Sequence, residues 1–303
     1  MGFYRRLKQL IINEGYLMIQ ENYSLTDAQI QHFETFGFII RRQVFGLEEI
    51  DRINKEFASY LASIKEGFEK KNEPSTRAWP NWSNLNPDTP YMASLVEDPR
   101  IYVPSEQLQG EDTYPVYSNA NSFRHNINWH PDALYPKLHL LKSLVYLQPT
   151  TADNGSLRVI PGSHKSPLFD DLQRLKMINS NDKSELQKES AMRSEDVPAY
   201  VFCSQPGDVI TFNMRLWHAS FNGYEDRRNC SFAFYSYPRT ADEKVEMQLQ
   251  LKNAKNTARG LRMELKDSKY YHPWWLENPE DSPKRARWIK SLDELGFLKA
   301  VDN

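Results

Sequence analysis

The chain has 303 residues, of which 40% are hydrophobic and 26% charged, and its formal net charge is −2. These values are typical of a folded globular protein and exclude a wholly disordered chain. The 38 basic and 40 acidic residues form no dominant basic block, which argues against nucleic acid as a partner. Two cysteines, Cys203 and Cys230, are too few for a disulfide framework and indicate a reducing, cytoplasmic compartment.

The first twenty residues contain apolar side chains without a targeting pattern. Lys8, Gln9, Asn13 and Glu14 interrupt any signal-peptide core. No stretch of the chain reaches the ~18 apolar residues that a membrane span requires. We therefore expect an amphipathic N-terminal helix and no membrane association.

Helical patterns dominate the first third of the chain. Residues 24–27 read Ser-Leu-Thr-Asp, a helix start, and the helix is predicted to end at Gly37. Residues 38–45 predict a short strand and residues 47–68 a long amphipathic helix. Residues 73–98 carry four prolines and predict a loop.

From about residue 115 the pattern changes to short strands separated by turn residues. The candidate strands lie at residues 113–123, 124–132, 141–149, 156–162, 199–205, 208–214, 215–220 and 229–237. Strands of this length and spacing predict a mainly β fold with flanking α-helices, built as a jelly-roll sandwich or barrel.

One charged segment, residues 165–197, interrupts these strands and is predicted to be either a lid over the barrel or a passive surface excursion. After Tyr237 the pattern returns to helix. We expect a single domain over residues 1–303. In it, residues 1–110 form helical and loop support, residues 115–237 the β core and residues 238–303 a C-terminal helical extension.

The C-terminal extension contains an aromatic-rich segment at residues 270–275, Tyr-Tyr-His-Pro-Trp-Trp. Such a segment could cap a site or form a subunit interface, where Trp and Tyr are common. Plain packing of the last helices on the β core is the favoured interpretation. Homo-oligomer formation stays open at this point.

Three residues form a pattern with metal-binding chemistry. His130 and Asp132 are two residues apart, so on an extended segment they point to the same face. His218 lies on a later predicted strand. Two histidines and one carboxylate are the ligand set of nonheme iron(II) oxygenases. Taken alone, this pattern is weak because it often occurs by chance.

The segments that follow these residues make the pattern specific. They are NGSLRVIPGSHK at residues 154–165, PGDVITFNMRLWHAS at residues 206–220 and RRNCSFAFY at residues 227–235. With them, the chain resembles the phytanoyl-CoA dioxygenase (PhyH) family of iron(II)- and 2-oxoglutarate-dependent oxygenases. The resemblance runs from about residue 25 to residue 237 and is weak in the C-terminal part.

The resemblance implies a double-stranded β-helix, or cupin-like, core with helices supporting one sheet. It also implies that His130, Asp132 and His218 are the iron(II) ligands. Halogenating relatives replace the carboxylate with a small residue, so Asp132 favours hydroxylation. The implied reaction uses O2 and 2-oxoglutarate, releases succinate and CO2, and oxidises a small-molecule substrate. Desaturation, ring closure and epoxidation stay open.

The family also carries an arginine after the second histidine that pairs with the distal carboxylate of 2-oxoglutarate. Arg227 matches this position best, with Arg228 as the fallback, because adjacent strand residues face opposite sides. Ser220 matches a hydroxyl that assists the same carboxylate. Leu144 departs from relatives that have an aromatic residue near this position, which leaves cofactor contacts on its strand open.

Further polar residues precede the histidine motif. Arg124, Asn126 and Asn128 would share the face of His130 if the strand were regular, and are predicted to bind substrate. His164, in a turn, is predicted to be structural. His125 and His139 are predicted to face solvent or a neighbouring side chain.

Two other classes of function remain compatible with the sequence. A cupin-like metalloenzyme could use the same ligands without 2-oxoglutarate, and its activity would be insensitive to Arg227→Ala. A noncatalytic binding protein could retain an oxygenase fold. The presence together of His130, Asp132, His218 and Arg227 argues against it, because folding alone does not require all four.

Overall fold

The structure of the chain is a computed structural model. It describes residues 12–13, 16–17, 23–65, 82–110, 112–174, 193–223, 226–260 and 271–298. The described helices are α1 (Asp27–Phe36), α2 (Leu47–Lys65), α3 (Pro90–Ser94), α4 (Pro99–Gln109), α5 (Leu168–Asp171), α6 (Ala241–Gly260), α7 (Pro273–Glu277) and α8 (Pro283–Glu294). Within these ranges, no helix is both long enough and apolar enough to cross a membrane.

The strands divide into two sheets and a small hairpin. They are β1 (Ile12–Asn13), β2 (Tyr16–Leu17), β3 (Phe38–Arg41), β4 (Trp82–Ser83), β5 (Thr113–Phe123), β6 (Ile127–His130), β7 (Leu140–Tyr146), β8 (Leu157–Val159), β9 (Tyr200–Phe202), β10 (Val209–Asn213), β11 (His218–Ser220) and β12 (Arg227–Ser236). A six-stranded sheet has the order β3-β10-β7-β12-β5-β4, and a four-stranded sheet has the order β6-β11-β8-β9.

All neighbouring strands in the two sheets are antiparallel. Their inner faces pack on each other, since Leu144 and Tyr146 of β7 share a buried cluster with Leu157 of β8 and Phe202 of β9. This is a jelly-roll architecture with flanking helices, and it confirms the predicted fold class. Each of the eight strands predicted from residue 113 onwards is present, although β6 is shorter than expected.

The outer face of the six-stranded sheet is covered by helices. Phe57 of α2, Trp275 of α7 and Trp288 of α8 are fully buried in one cluster with Cys230 and Phe232 of β12. At roughly 25 cal/mol per Å² of apolar area buried, this side supplies much of the hydrophobic stabilisation. The helices therefore support the sheet from the side opposite to the four-stranded sheet.

The described part of the 270–275 segment belongs to this core. Trp275 is buried, and the Tyr271 hydroxyl donates to the backbone carbonyl oxygens of Pro115 (3.1 Å) and Val116 (2.7 Å). These contacts support the packing interpretation over a cap on a site. Tyr270 lies outside the described residues.

The two ends of the 165–197 segment cover the outer face of the four-stranded sheet. Phe169 of α5 and Val197 are buried in a cluster with Trp129 of β6 and Trp217. The Trp129 indole N–H donates to the Ser194 carbonyl at 2.8 Å. These ends are part of the fold; residues 175–192, on which the lid prediction falls, lie outside the described residues.

The N-terminal part of the chain differs from the prediction. The expected helix is wrong at β1 and β2, which pair as a short antiparallel hairpin. Helix α1 is as predicted: Thr26 and Gln29 form a capping box, and Gly37, with φ 83°, ends the helix. The following strand, β3, joins the edge of the six-stranded sheet beside β10, a pairing the sequence pattern did not indicate.

Candidate metal centre

The three predicted ligand residues meet at one end of the four-stranded sheet. Strands β6 and β11 are antiparallel neighbours, and their register places His218 directly opposite His130. The two imidazole ring centres are 4.3 Å apart. Asp132 follows the end of β6 by two residues, so its carboxylate lies beside both rings.

The ligand atoms of these residues face one point. The Nε2 atom of His130 is 3.8 Å from Oδ1 of Asp132, and the Nε2 atom of His218 is 3.7 Å from Oδ2. One atom from each residue lies within 4.8 Å of the other two. This spacing allows a single ion to contact all three side chains.

Backbone contacts fix the orientation of both imidazoles. Nδ1 of His130 lies 2.7 Å from the carbonyl oxygen of Asn128, and Nδ1 of His218 lies 2.8 Å from that of Leu216. Because a carbonyl accepts hydrogen bonds, each Nδ1 must carry the proton. Each Nε2 then presents a lone pair to the shared point, as in metal-binding histidines.

The charge states also suit a cation. Burial, with the neighbouring His130, lowers the pKa of His218 to about 3, so this imidazole is neutral at physiological pH. Burial alone would raise the pKa of Asp132, but the positive charge of Lys142 and the adjacent histidines outweigh it and hold that pKa below its usual range. The centre therefore offers two imidazole nitrogens and one carboxylate to a cation.

The loop that carries Asp132 is held at several points. The Ala133 amide donates to the Met214 carbonyl at 2.9 Å. Further along, a carboxylate oxygen of Glu246 on α6 accepts from the amides of Lys137 (2.7 Å) and Leu138 (3.1 Å). A C-terminal helix thus helps to position the loop between β6 and β7.

The centre opens into a cavity of about 240 Å³ between the two sheets. Besides the three candidate ligands, its lining includes polar and apolar side chains from both sheets: Asn121, Phe123, Ile127, Lys142, Leu144, Tyr146, Thr150, Leu157, Phe212, Ser220, Arg227 and Asn229. A cavity of this size fits small molecules.

Arg227, at the start of β12, forms the far wall of the cavity and is buried. Its Nη1 donates to the Gly155 carbonyl (2.6 Å) and to the Ser220 hydroxyl, and its Nη2 donates to the His125 carbonyl at 2.8 Å. The structure therefore brings Arg227 and Ser220 together, as predicted.

Two glycines make room for the Arg227 side chain. A Cβ atom on Gly155 would lie 2.6 Å from the Arg227 Cδ, and one on Gly223 would lie 2.5 Å from its Nε. Gly155 also has φ 91°, which disfavours other residues. The guanidinium therefore occupies a slot that side chains at these two positions would close.

Arg228 points the other way. Its guanidinium lies over the ring of Phe57 at 5.0 Å on the helix side of the sheet, and it pairs with the carboxylate of Asp226. Some of its atoms reach the cavity wall, but its charge does not face the cavity interior. Because adjacent residues of β12 face opposite sides of the sheet, Arg227 fits the predicted cosubstrate-binding position better than Arg228.

The substrate-binding prediction for the residues before His130 rests on a premise that is wrong. Strand β5 ends at Phe123, and His125, with φ 57°, turns the chain before β6 begins. Within β6 the register shifts as well, since Ile127 pairs with Ser220 and His130 with His218. As a result Phe123 and Ile127 line the cavity, whereas Arg124, Asn126 and Asn128 are not among its lining residues. The Asn126 side chain instead accepts from the Asn222 amide at 2.8 Å.

The remaining histidines lie where the sequence analysis placed them. His164 is buried against Gly37, and burial lowers its pKa to about 4, consistent with a structural role. His125 and His139 are exposed. His125 contributes its backbone carbonyl, and not its ring, to Arg227.

One cavity residue was missed by the sequence analysis. Lys142 projects from β7 into the cavity, and its Nζ is 3.0 Å from Oδ2 of Asp132. A lysine within the mostly apolar strand LLKSLVY is unusual at a largely buried position and could have been noticed on that ground.

Comparisons with known proteins agree with this geometry. A family model described as Phytanoyl-CoA dioxygenase (PhyH) matches residues 33–229. The ectoine dioxygenase of Sphingopyxis alaskensis is 25% identical over 215 residues, which cover 65% of this chain and 70% of the relative. That of Bordetella bronchiseptica is 26% identical over 155 residues, or 47% of this chain and 50% of the relative.

Solved structures share the fold at lower identity. HygX from Streptomyces hygroscopicus, with nickel and 2-oxoglutarate bound, has a TM-score of 0.54 and 22% identity, and the match covers 70% of this chain and 88% of HygX. AviO1 from Streptomyces viridochromogenes has a TM-score of 0.52 and 18% identity, covering 70% of this chain and 95% of AviO1. At this identity the likeness describes the fold alone.

Proposed function

The chain belongs to the phytanoyl-CoA dioxygenase (PhyH) family, and from this premise we propose that its cavity houses the reaction of an iron(II)- and 2-oxoglutarate-dependent oxygenase acting on a small molecule. The enzyme class follows from the family and from the ectoine dioxygenase relatives. The observation that carries the proposal is that the His-Asp-His cluster and the inward-facing Arg227 lie in one cavity.

His130, Asp132 and His218 are proposed to hold iron(II). Two imidazole nitrogens and one carboxylate are the donor set that this ion takes in nonheme oxygenases, with further positions left open for other ligands. The backbone acceptors on both Nδ1 atoms keep the two imidazoles ready to coordinate through Nε2. The residues present therefore fit the ion.

Arg227 and Ser220 are proposed to bind the distal carboxylate of 2-oxoglutarate. A guanidinium offers a planar, permanently charged set of donors that matches a carboxylate, and a buried pair of this kind gains from the low local dielectric. Because Arg227 already bonds Ser220 and Gly155, little ordering is required when the carboxylate arrives.

Iron(II) with bound 2-oxoglutarate would activate O2 and oxidise a nearby C–H bond of the substrate, releasing succinate and CO2. The chain supplies the rest. His130, Asp132 and His218 would hold the ion, Arg227 would set the direction of the cosubstrate, and the apolar side chains of Leu144, Leu157 and Phe212 would exclude bulk water. Hydroxylation is the proposed outcome.

The cytoplasm is the proposed compartment, because Cys203 and Cys230 are both unpaired thiols in the structure. The relatives act on ectoine according to their names, and the cavity of about 240 Å³ is on the scale of small molecules. We therefore propose a small metabolite or natural product as the substrate.

An anaerobic titration tests the proposal. Apo protein is titrated with iron(II) and then with 2-oxoglutarate, and the visible charge-transfer band of the chelate is recorded. We expect a band that saturates near one equivalent, is lost in Asp132→Ala and requires far more 2-oxoglutarate in Arg227→Ala.

Two other outcomes would contradict the proposal. Iron binding without the band, together with activity unaffected by Arg227→Ala, would indicate a cupin-like enzyme that does not use 2-oxoglutarate. No iron binding at all would indicate a noncatalytic protein on this fold.

A further inference from the structure

Lys142 places a positive charge beside the candidate metal centre. Its side chain is 19% exposed and lines the cavity, its Nζ lies 3.0 Å from Oδ2 of Asp132, and its ammonium lies 6.0 Å from the centre of the Tyr117 ring. An ammonium carries three donors, and Asp132 accepts one of them. No other acceptor within the described part of the chain is hydrogen-bonded to this group, so a molecule in the cavity can supply a second one.

The charges around the cavity do not cancel in the loaded enzyme. Arg228 is neutralised by Asp226, and a histidine that coordinates a metal carries no charge, which leaves Lys142 and Arg227 against Asp132. Iron(II) and the 2-oxoglutarate dianion cancel each other. One positive charge therefore remains, and it lies at Lys142, because Arg227 is used by the distal carboxylate.

Metal binding would leave this remaining positive charge on Lys142. Among the described residues, Lys142 is the side chain that donates a hydrogen bond to the carboxylate of Asp132. Once that carboxylate coordinates a divalent ion, most of its charge is committed to that ion, and Lys142 becomes an under-compensated charge in a cavity of low dielectric. Such a charge is stabilised by an anion and opposes a cationic ligand.

We propose that Lys142 binds an anionic oxygen group of the substrate, a carboxylate or a phosphate, and so selects the substrate class. The inference rests on the proposed function above and extends it. Binding at Lys142 holds the anionic group next to the metal-bound Asp132, so the bond to be oxidised lies close to that group in the substrate.

The side chain of Asn119 on β5 is buried, and its oxygen has no hydrogen-bond partner among the described residues. The residue as a whole is 8% exposed. Asn119 follows Tyr117 by two residues on β5 and shares the inward face of Asn121, which lines the cavity. Asn119 is not among the residues that line the cavity, so the proposal rests on Lys142.

The test uses the anaerobic complex of the full chain with iron(II) and 2-oxoglutarate. At constant ionic strength it is titrated with acetate, with the neutral acetamide and with inorganic phosphate, and the shift of the charge-transfer band is followed. We expect acetate or phosphate, and not acetamide, to shift the band in the wild type. The anion with the lower dissociation constant identifies the group that the site prefers.

Variants at Lys142 decide the assignment. In Lys142→Met the anion should bind at least about tenfold more weakly, as expected from the loss of a charge-assisted hydrogen bond. Lys142→Arg should retain binding because it keeps the charge. Lys137→Met, the same substitution at an exposed lysine outside the cavity lining, should behave as wild type.

Several outcomes would overturn the proposal. These are an equal acetate response in wild type and Lys142→Met, no response in wild type, or a Lys142→Met variant whose iron affinity falls while its anion response persists. The last result would assign Lys142 to positioning Asp132 alone. If the methionine variant does not form the chelate, Lys142→Gln provides the uncharged comparison. Absence of the band in wild type would instead contradict the proposed function itself.

Discussion

The two faces of the six-stranded sheet have different roles, although the same strands form both. The inward face presents polar groups such as Lys142, Asn229 and Arg227 to the cavity, whereas the outward face buries Cys230 and Phe232 under the helices. On β12 the two sets alternate residue by residue. Adjacent residues of β12 therefore face either the cavity or the helix-covered core. A substitution at one should change cofactor or substrate binding, and a substitution at the next should change the free energy of unfolding.

Removal of Asp132 should have the largest effect on the inward face. Loss of a ligand should reduce succinate formation from 2-oxoglutarate by at least about 100-fold, since even changes to groups behind metal ligands cost about 10–100-fold. The thermal midpoint should change little, because Asp132 lies outside the helix-covered core. Asp153→Ala, at an exposed position, is the matched control. An active Asp132→Ala enzyme would contradict the ligand assignment.

On the outward face, Phe232→Ala should lower the free energy of unfolding by about 3–5 kcal/mol, the cost of removing a fully buried phenylalanine. Urea denaturation measures it, with Phe232→Leu as the milder comparison. The protein that remains folded should still form the charge-transfer band. Loss of the band at full folding would show that the two faces are not separable.

Adjacent arginines provide the sharpest comparison. Arg227→Ala should raise the dissociation constant of 2-oxoglutarate by about 10–100-fold, because it removes charge-assisted hydrogen bonds to a carboxylate. Arg228→Ala should leave that constant nearly unchanged and cost about 1 kcal/mol of stability through its contacts with Phe57 and Asp226. The reverse pattern would reassign the cosubstrate arginine to Arg228.

A smaller effect is expected when the Arg227 slot is narrowed. In Gly155→Ala the new methyl group would lie 2.6 Å from the Arg227 side chain, and φ at this position is 91°. The arginine must shift, so 2-oxoglutarate should bind several-fold more weakly. Gly46→Ala is the control, because its Cβ would meet Glu49 at an ordinary 3.7 Å. Unchanged cosubstrate binding in Gly155→Ala would mean that the slot tolerates the methyl group.

The two thiols, Cys203 and Cys230, should differ in reactivity. This difference tests whether the helices keep solvent away from the outward face of the six-stranded sheet. Burial raises the pKa of Cys230 to about 12, whereas Cys203 is exposed. At pH 8 a maleimide should label one thiol per native chain and two in urea, because the reactive form is the thiolate. Rapid labelling of both in the native state would indicate that the helices open readily.

Much of this organisation could be predicted because it depends on local alternation and on spacing. The strands from β5 to β12, the positions of His130, Asp132 and His218, and the preference for Arg227 over Arg228 all follow from periodicity together with the family resemblance. Neighbouring strands in the sheets, such as β3 beside β10, depend on contacts between distant segments, which periodicity does not encode.

Other features could not be predicted from the sequence, for specific structural reasons. The positive φ of His125 ends the regular strand, so the face of His130 could not be extrapolated back to Arg124. Lys142 was overlooked because β7 is mostly apolar, and its contact with Asp132 comes from a different part of the chain. The role of Gly155 requires the approach of Arg227, a residue distant in sequence.

The hydrogen bonds between Glu246 and the loop after Asp132 affect how short an active fragment of the chain can be. The family match ends at residue 229, whereas α6 begins at Ala241. A fragment trimmed to the matched residues would lose the carboxylate that holds the Lys137 and Leu138 amides. We therefore expect the smallest active fragment to extend beyond the family boundary and to include Glu246.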